Sequence, residues 1–244
     1  MTISKVKIGV VIPVFNDDRI YSAIDELMAQ ERIPDLIIIQ DPQNKYADLQ
    51  SDVVRTSTYK DSGLFDGIDY CIENFFHDFD WIFLQGADDV LKGHTFFKQV
   101  EQASDRVDIV YARTKIIYPK YFRLWPNHNI VVNGFCPPPH FGTAYRKKLF
   151  KNSKMEILGQ ENHAKDTLWL HKIQWNKLNI IMAENCMLEM ASGGISNGGK
   201  FLTGGFKNFK RLIKLAKQSN ISSLRILVSY ILAAIIKIFY TRFK

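Results

Sequence analysis

The stretch DWIFLQGADD, residues 80–89, reads as an apolar strand that ends abruptly in two adjacent carboxylates. Neighbouring carboxylates repel each other and are costly to remove from water, so their place after a buried strand indicates a cation or a reaction that needs them. Oxygen ligands of this kind suit Mg²⁺ or Mn²⁺, which normally keep coordination positions for substrate phosphate. A solvated turn with a helix cap is the alternative, and Asp88 and Asp89 alone leave both interpretations open.

The composition is that of one large α/β domain. The 244 residues are 46% hydrophobic and 13% aromatic, which supplies a sizeable core. The three cysteines, Cys71, Cys136 and Cys186, lack the paired spacing of a disulfide framework or a zinc site, so we expect a reduced, cytosolic compartment. The first residues enter a strand pattern without an apolar signal core, so we expect no export.

The net charge of +7 is concentrated in the last segment of the chain. Residues 206–244 contain nine lysines and arginines and no acidic residue, whereas residues 1–205 contain 23 basic and 25 acidic residues. Because the first 205 residues are nearly neutral, the positive net charge does not indicate a nucleic-acid-binding surface. We therefore expect no nucleic-acid partner.

Apolar runs and helical periods alternate along the first half of the chain. The β-branched run at residues 6–15 predicts a buried parallel strand, and residues 35–42 predict a second one. A helix is predicted between them and another at residues 64–76, before the strand of the opening stretch. This order predicts an α/β fold with a mostly parallel central sheet and flanking helices, whose ligand crevice lies beyond the carboxyl ends of the strands.

The second half of the chain has a less regular pattern. Residues 112–141 hold aromatic residues and prolines without a helical period, which predicts hairpins and loops over the crevice. A helix is predicted at residues 164–170, followed by two strands at residues 179–182 and 186–190.

Four segments carry residues of interest in a defined order: VIPVFN at 11–16, KDSGLFDGID at 60–69, WIFLQGADD at 81–89 and HFGTAYRKKLF at 140–150. Together they resemble the motifs of the GT-A glycosyltransferases, specifically the family-2-like bacterial enzymes that build lipopolysaccharide, capsule and related glycans. The resemblance covers roughly residues 6–200 and implies a GT-A (Rossmann-like) fold that binds a nucleotide sugar.

The resemblance also assigns donor-binding roles to several residues. They are Pro13, Phe15 and Asn16 in the nucleotide pocket, Asp41 near the uracil or ribose, Asp61 at the base or sugar-phosphate region, Gly63 and Asp66 in the loop beside the donor, and Asp88 near the donor sugar or ribose. Lys200 follows a glycine-rich segment and is a candidate to clamp the diphosphate when that loop closes, with a solvated lysine as the alternative.

The resemblance further implies a metal ligand and a base. Asp89 would ligate Mg²⁺ or Mn²⁺ that bridges the diphosphate and cancels the charge on the departing nucleoside diphosphate. In an inverting transfer a carboxylate removes the proton of the acceptor hydroxyl, and Asp166 lies at the family's position for this base. Glu161 is the alternative base, because a short shift of the helix boundary would turn it inward. If Asp166 is instead a surface residue, we expect it to pair with Lys165 or Lys172.

The chain departs from the family pattern near the donor. Gln40 and Asp41 end the second strand where the family usually has paired acidic residues, so the ribose contact is open. Gly67 replaces the usual alanine, and Asp69 replaces the usual asparagine. These changes can alter the choice of donor, but they remove neither the metal ligand nor the base.

The basic segment at the end of the chain has an amphipathic pattern. Residues 206–217 alternate apolar and basic side chains at helical spacing, and the apolar run at 226–236 is shorter than the roughly 20 residues that span a bilayer. We therefore expect residues 206–244 to form a helical tail on an anionic membrane surface, next to a catalytic domain at 1–205. A helix pair packed on the domain, or at the interface of a homo-oligomer, is the alternative.

These expectations describe an inverting, metal-dependent glycosyltransferase that uses a nucleoside diphosphate sugar, a UDP-sugar, and a lipid-linked glycan acceptor in bacterial surface polysaccharide synthesis. It would act at the cytoplasmic face of the bacterial inner membrane, where the acceptor's lipid and the tail both belong. A nucleotidyltransferase of similar fold is disfavoured, because no glycine-rich, basic phosphate loop follows the first strand. A membrane-associated scaffold that keeps the fold without activity is the third interpretation.

Overall fold

A computed structural model gives the fold of the chain. Two of the predicted site residues, Glu161 and Lys200, lie outside the described residues, as does most of the predicted tail. The structure describes residues 5–125, 128–134, 136–151, 154 and 165–191, together with positions 213, 227, 228, 231 and 241–243.

Ten strands and five α-helices occur in this described part. The strands are β1 (Ile8–Pro13), β2 (Leu36–Gln40), β3 (Val54–Ser57), β4 (Trp81–Leu84), β5 (Val90–Lys92), β6 (Ile109–Ile117), β7 (Tyr121–Leu124), β8 (Thr143–Arg146), β9 (Ile180–Ala191) and β10 (Thr241–Phe243). The helices are α1 (Ile20–Met28), α2 (Leu64–Phe75), α3 (Phe96–Gln102), α4 (His128–Val132) and α5 (Lys165–Lys172).

The strands form one mixed sheet, whose parallel half carries the predicted crevice. In the order β3-β2-β1-β4 neighbouring strands are parallel, with Val11 of β1 opposite Ile38 on one side and Leu84 on the other. The order continues as β8-β6-β7-β10 in antiparallel pairs, while β9 pairs with β5 and β6. Because β1 to β4 run in one direction, their carboxyl ends meet at one edge.

Two apolar clusters cover the two faces of the sheet. Val11 points into the cluster that contains Trp169 of α5, while Val10 and Ile12 point into the cluster that contains Phe97 of α3. Successive side chains of a strand point to opposite faces, so a strand covered on both faces must be apolar throughout. This explains the continuous apolar run that predicted β1, and it confirms the α/β sheet with flanking helices.

Two predictions of secondary structure are wrong. Residues 179–182 and 186–190 belong to one strand, β9, because an irregularity in its pairing with β6 absorbs the residues between them, where Asn185 has a φ of +56°. The end of the predicted helical tail, Thr241–Phe243, is a strand that pairs with the edge strand β7. Backbone pairing with an edge strand is a long-range contact, which the helical spacing of a basic segment cannot reveal.

The other described tail positions fall into two groups. Ile213 packs against the cluster that contains Val11 and Trp169, as expected for a tail segment that touches the domain. Val228 and Ile231 are 48% and 49% exposed. None of the helices in the described ranges has the length and apolar character needed to cross a bilayer. The membrane contact of this segment stays a prediction.

Candidate active site

Most of the predicted donor residues lie at the carboxyl edge of the parallel strands. Asn16, Asp41 and Asp88 follow β1, β2 and β4, which are neighbours in the sheet. Pro13 ends β1, and Phe15 beside it is 79% exposed, an unusual state for a large apolar side chain. Three loops with polar and aromatic side chains therefore converge at the edge where α/β sheets bind ligands.

The turn after β4 holds its two carboxylates in different environments. Asp89 is only 2% exposed, and its Oδ2 accepts the Gly86 N–H at 3.1 Å. Burial, and then the like charge of Asp88, raise the pKa of Asp89 to about 7. A Cβ at Gly86 would lie 2.8 Å from Asp89 Oδ2, so a side chain at this position would displace the Asp89 carboxylate.

A positive side chain that the sequence reasoning missed faces this acidic turn. Arg19, just before α1, donates from Nε and Nη2 to the two carboxylate oxygens of Asp17 at 2.8 and 2.5 Å. The same Nη2 lies 3.6 Å from Oδ2 of Asp88. Arg19 thus joins the β1 loop to the β4 turn and partly balances its negative charge. The available signal was a basic residue two positions after Asp17, close to the end of the first strand.

The acidic turn offers oxygen ligands but no complete metal cage. Across the described ranges, no group of three or more histidine, cysteine, aspartate or glutamate side chains could hold a metal ion. Asp88 and Asp89 supply hard carboxylate oxygens, which suit Mg²⁺ or Mn²⁺ ions that share their remaining positions with phosphate. A cation beside Asp89 would also offset the burial and like charge that raise its pKa. The residues therefore fit a divalent cation that is shared with a bound diphosphate.

Asp41 is turned into its own loop. Its Oδ1 accepts the Gln43 N–H at 3.2 Å, and its Oδ2 accepts the Tyr46 N–H at 2.9 Å. The side chain therefore shapes the loop after β2, and its predicted donor contact stays a prediction. Lys45 of this loop, also missed by the sequence reasoning, donates from Nζ to Asn16 Oδ1 at 2.9 Å. That bond closes the edge of the site between the β1 and β2 loops.

The loop before α2 is ordered by side-chain hydrogen bonds. Asp61 accepts the Gly63 N–H on Oδ1 at 3.1 Å and the Gln40 amide Nε2 on Oδ2 at 2.9 Å. Asp66 accepts the Ser62 N–H on Oδ2 at 2.7 Å. Gly63 has a φ of +147°, a backbone conformation that residues other than glycine rarely adopt. Asp61 and Gly63 of this loop are thus held together with Asp66 in the first turn of α2, and Gln40 joins them from β2.

Asp166 lies in the first turn of α5, close to a buried histidine. Burial lowers the pKa of His140 to about 4, and the charge of Asp166 opposes this shift, so the imidazole is neutral near pH 7. His140 Nδ1 lies 3.5 Å from the Tyr145 hydroxyl. Asp166 accepts the Thr167 N–H at 2.7 Å. None of the ion pairs in the described ranges joins Asp166 to Lys172. Asp166 therefore lies beside a neutral polar group, and its predicted role as base stays a prediction.

Comparison with known structures identifies the architecture. No protein-family model and no curated protein sequence matches the chain. A crystal structure of residues 1–349 of S. aureus TarS is 14% identical, with alignment over 93% of this chain and 71% of that chain and a TM-score of 0.60. A longer TarS structure is 13% identical over 93% of this chain and 43% of that chain, with a TM-score of 0.61.

A third neighbour was crystallised with a nucleotide, a sugar and a metal ion. GalNAc-T7, crystallised with UDP, GalNAc and Mn²⁺, is 11% identical over 86% of this chain and 48% of that chain, with a TM-score of 0.58. The chain thus spans less than half of the longer TarS structure and of GalNAc-T7. Identities this low establish a shared fold rather than a shared substrate. Because the TarS and GalNAc-T7 structures share this architecture, the chain has the GT-A fold.

Proposed function

We propose that the chain is an inverting, metal-dependent glycosyltransferase that moves a sugar from a nucleoside diphosphate sugar, a UDP-sugar, to an acceptor hydroxyl. The observation that carries this proposal is the pair Asp88 and Asp89 at the carboxyl end of β4, next to the Asn16 loop that follows β1. The two carboxylates and the exposed ring of Phe15 lie at one edge of the sheet. This combination suits a nucleoside diphosphate with its cation better than an apolar ligand.

In the proposed reaction the acceptor oxygen displaces the nucleoside diphosphate. Asp166 takes the proton of the acceptor hydroxyl while that oxygen forms a bond to the anomeric carbon of the donor. The bond from that carbon to the phosphate oxygen breaks on the opposite side, so one displacement inverts the configuration. A divalent cation held by Asp89 would neutralise the charge that develops on the departing diphosphate. Arg19 lies close enough to the acidic turn to add positive charge there.

Binding of UDP together with Mn²⁺ is expected to stabilise the chain against heat. Ligand at 100 times its Kd adds about 2.7 kcal/mol to the free energy of unfolding. For a chain of this size that corresponds to a Tm increase of roughly 5–10 °C. Thermal unfolding with UDP and UDP-sugars, each with Mn²⁺ and with a chelator, measures the effect.

The same experiment separates the alternatives. UTP that stabilises the chain while UDP and UDP-sugars leave the Tm unchanged would favour a nucleotidyltransferase. No change with any nucleoside diphosphate, nucleoside triphosphate or nucleotide sugar would favour the non-catalytic scaffold. Either result would contradict the proposed sugar transfer.

We further propose a lipid-linked glycan acceptor at the cytoplasmic face of a bacterial inner membrane. The support is the charge of residues 206–244, which contain nine basic and no acidic residues. Basic segments with apolar side chains bind anionic lipid surfaces through both headgroups and acyl chains. Val228 and Ile231 are about half exposed and are available for such contact.

Replacing Val228 and Ile231 together with glutamate is expected to weaken binding to anionic vesicles by roughly 10- to 100-fold, because two apolar contacts are lost. The matched control is Val132→Glu, since this valine on α4 is 41% exposed and lies outside the tail. Flotation with phosphatidylglycerol-containing liposomes measures binding. Equal flotation of the tail variant and the wild type would contradict the membrane role.

A further inference from the structure

Gln40, the last residue of β2, is 1% exposed, and both ends of its amide are hydrogen-bonded. Nε2 donates to the Tyr59 carbonyl at 2.7 Å and to Asp61 Oδ2 at 2.9 Å, while Oε1 accepts the Cys71 thiol at 3.4 Å. Burial raises the pKa of Cys71 to about 12, so the thiol keeps its hydrogen. The reverse amide orientation would place Oε1 against a carbonyl and a carboxylate, so these partners fix the orientation.

This network leaves Asp61 as a hydrogen-bond acceptor. Its Oδ1 accepts the Gly63 N–H and its Oδ2 accepts the Gln40 amide, and each carboxylate oxygen has a second lone pair. Gln40 directs its Nε2 to Tyr59 and Asp61 and offers no hydrogen to a ligand. A ligand group that hydrogen-bonds to Asp61 must therefore be a donor.

Gly67 makes this arrangement sterically possible. A Cβ at position 67 would lie 2.8 Å from Asp61 Oδ2 and 2.9 Å from Gln40 Cγ, both closer than real Cβ contacts. Glycine inside a helix costs about 1 kcal/mol relative to alanine, and here it lies in the first turns of α2. The close approach of Gln40 and Asp61 explains why glycine occupies this position despite that cost. It also links the two departures from the family pattern, at positions 40 and 67, to one another.

We propose that Gln40 and Gly67 form a positioning pair that orients Asp61 to accept a ring N–H of the donor's nucleobase. This inference rests on the proposed function and narrows the nucleotide class. Uracil N3 and guanine N1 carry a hydrogen, whereas cytosine N3 and adenine N1 are lone-pair acceptors that a carboxylate repels, and the hydrogen-bond donors of cytosine and adenine are amino groups outside the ring. The pair therefore favours a nucleotide with a ring N–H, and it acts through Asp61 without touching the reacting atoms.

The test compares the affinities of UDP, GDP, CDP and ADP, each with Mn²⁺, for the wild type and four variants. Gln40→Glu replaces the amide donor by a second carboxylate, and Gln40→Met keeps the volume but removes the hydrogen bonds. Gly67→Ala introduces the clash with Asp61 Oδ2 and Gln40 Cγ. Gln43→Glu is the control, because it adds the same charge at an exposed position of the loop after β2.

We expect wild type to bind UDP or GDP at least about tenfold more tightly than CDP and ADP, because a mismatched base leaves the charge-assisted hydrogen bond to the half-buried Asp61 unmade. Gln40→Glu, Gln40→Met and Gly67→Ala should reduce this preference to about threefold or less, while Mn²⁺-dependent binding of inorganic pyrophosphate stays at the wild-type value. Gln43→Glu should keep the wild-type preference.

Three results would overturn the inference. If Gln40→Met and Gly67→Ala fold with the wild-type Tm and keep the wild-type preference, the pair does not position Asp61, although nucleotide binding by the wild type still supports the proposed function. If the wild type binds pyrophosphate with Mn²⁺ but shows no preference among the four bases, the inference alone fails. Absence of all nucleoside diphosphate binding would contradict both this inference and the proposed function.

Discussion

Replacing Asp89 with asparagine is expected to reduce sugar transfer by about 10²- to 10³-fold and to remove its dependence on Mn²⁺. The amide keeps an oxygen that can accept the Gly86 N–H, so the turn after β4 retains its internal hydrogen bond. The fold should remain, because the substitution removes a buried charge that lies next to the like charge of Asp88. Transfer measured across a Mn²⁺ titration, with Tm as the check of folding, gives the result.

The control for this experiment is Asp52→Asn, which removes the same charge from an exposed position before β3. It should keep the transfer rate, the Mn²⁺ dependence and the Tm of the wild type. If Asp89→Asn retains the wild-type response to Mn²⁺, the metal is held elsewhere and the proposed role of the acidic turn is wrong. A Tm that falls steeply would instead identify Asp89 as a structural residue of the turn.

The framework of this site follows from local sequence features. Residues 6–15 and 35–42 predict their strands correctly because strands covered on both faces must be apolar at every position. The polar residues that end such runs mark the carboxyl edge of a parallel sheet, so the convergence of Asn16, Asp41 and Asp88 could be anticipated. The helix predicted at residues 64–76 is also confirmed, as α2.

The partners of these residues could not be predicted, because they depend on contacts distant in sequence. Arg19, after β1, reaches Asp88 in the turn after the neighbouring strand β4, and Gln40 reaches Asp61 from the end of β2. Asp41, in contrast, has partners close in sequence, because its carboxylate accepts hydrogen bonds from the backbone of its own loop. A carboxylate after a strand can serve a ligand or order a loop, and the sequence pattern is the same for both.

Loss of the Asp166 charge should slow the sugar-transfer step more than it weakens binding of the donor. Asp166→Asn is expected to lower kcat by about 10²- to 10⁴-fold, because the acceptor hydroxyl loses its proton acceptor. Its neighbour His140 cannot replace it simply, since burial holds the pKa of that imidazole at about 4 and its ring nitrogen Nδ1 lies near the Tyr145 hydroxyl. UDP affinity with Mn²⁺ should equal that of the wild type, because the metal ligand and the Asp61 loop are unchanged.

Glu161→Gln is the matched variant, since it removes the only other carboxylate proposed as base. Single-turnover rates and UDP affinities of the two variants assign the proton acceptor, because a base affects the chemical step without weakening donor binding. Full activity in Asp166→Asn with loss in Glu161→Gln would move the role to Glu161. If both variants keep the wild-type rate while Asp89→Asn loses it, neither carboxylate removes the proton. The acceptor would then have to lose it to a group brought by the substrate or by residues other than these two.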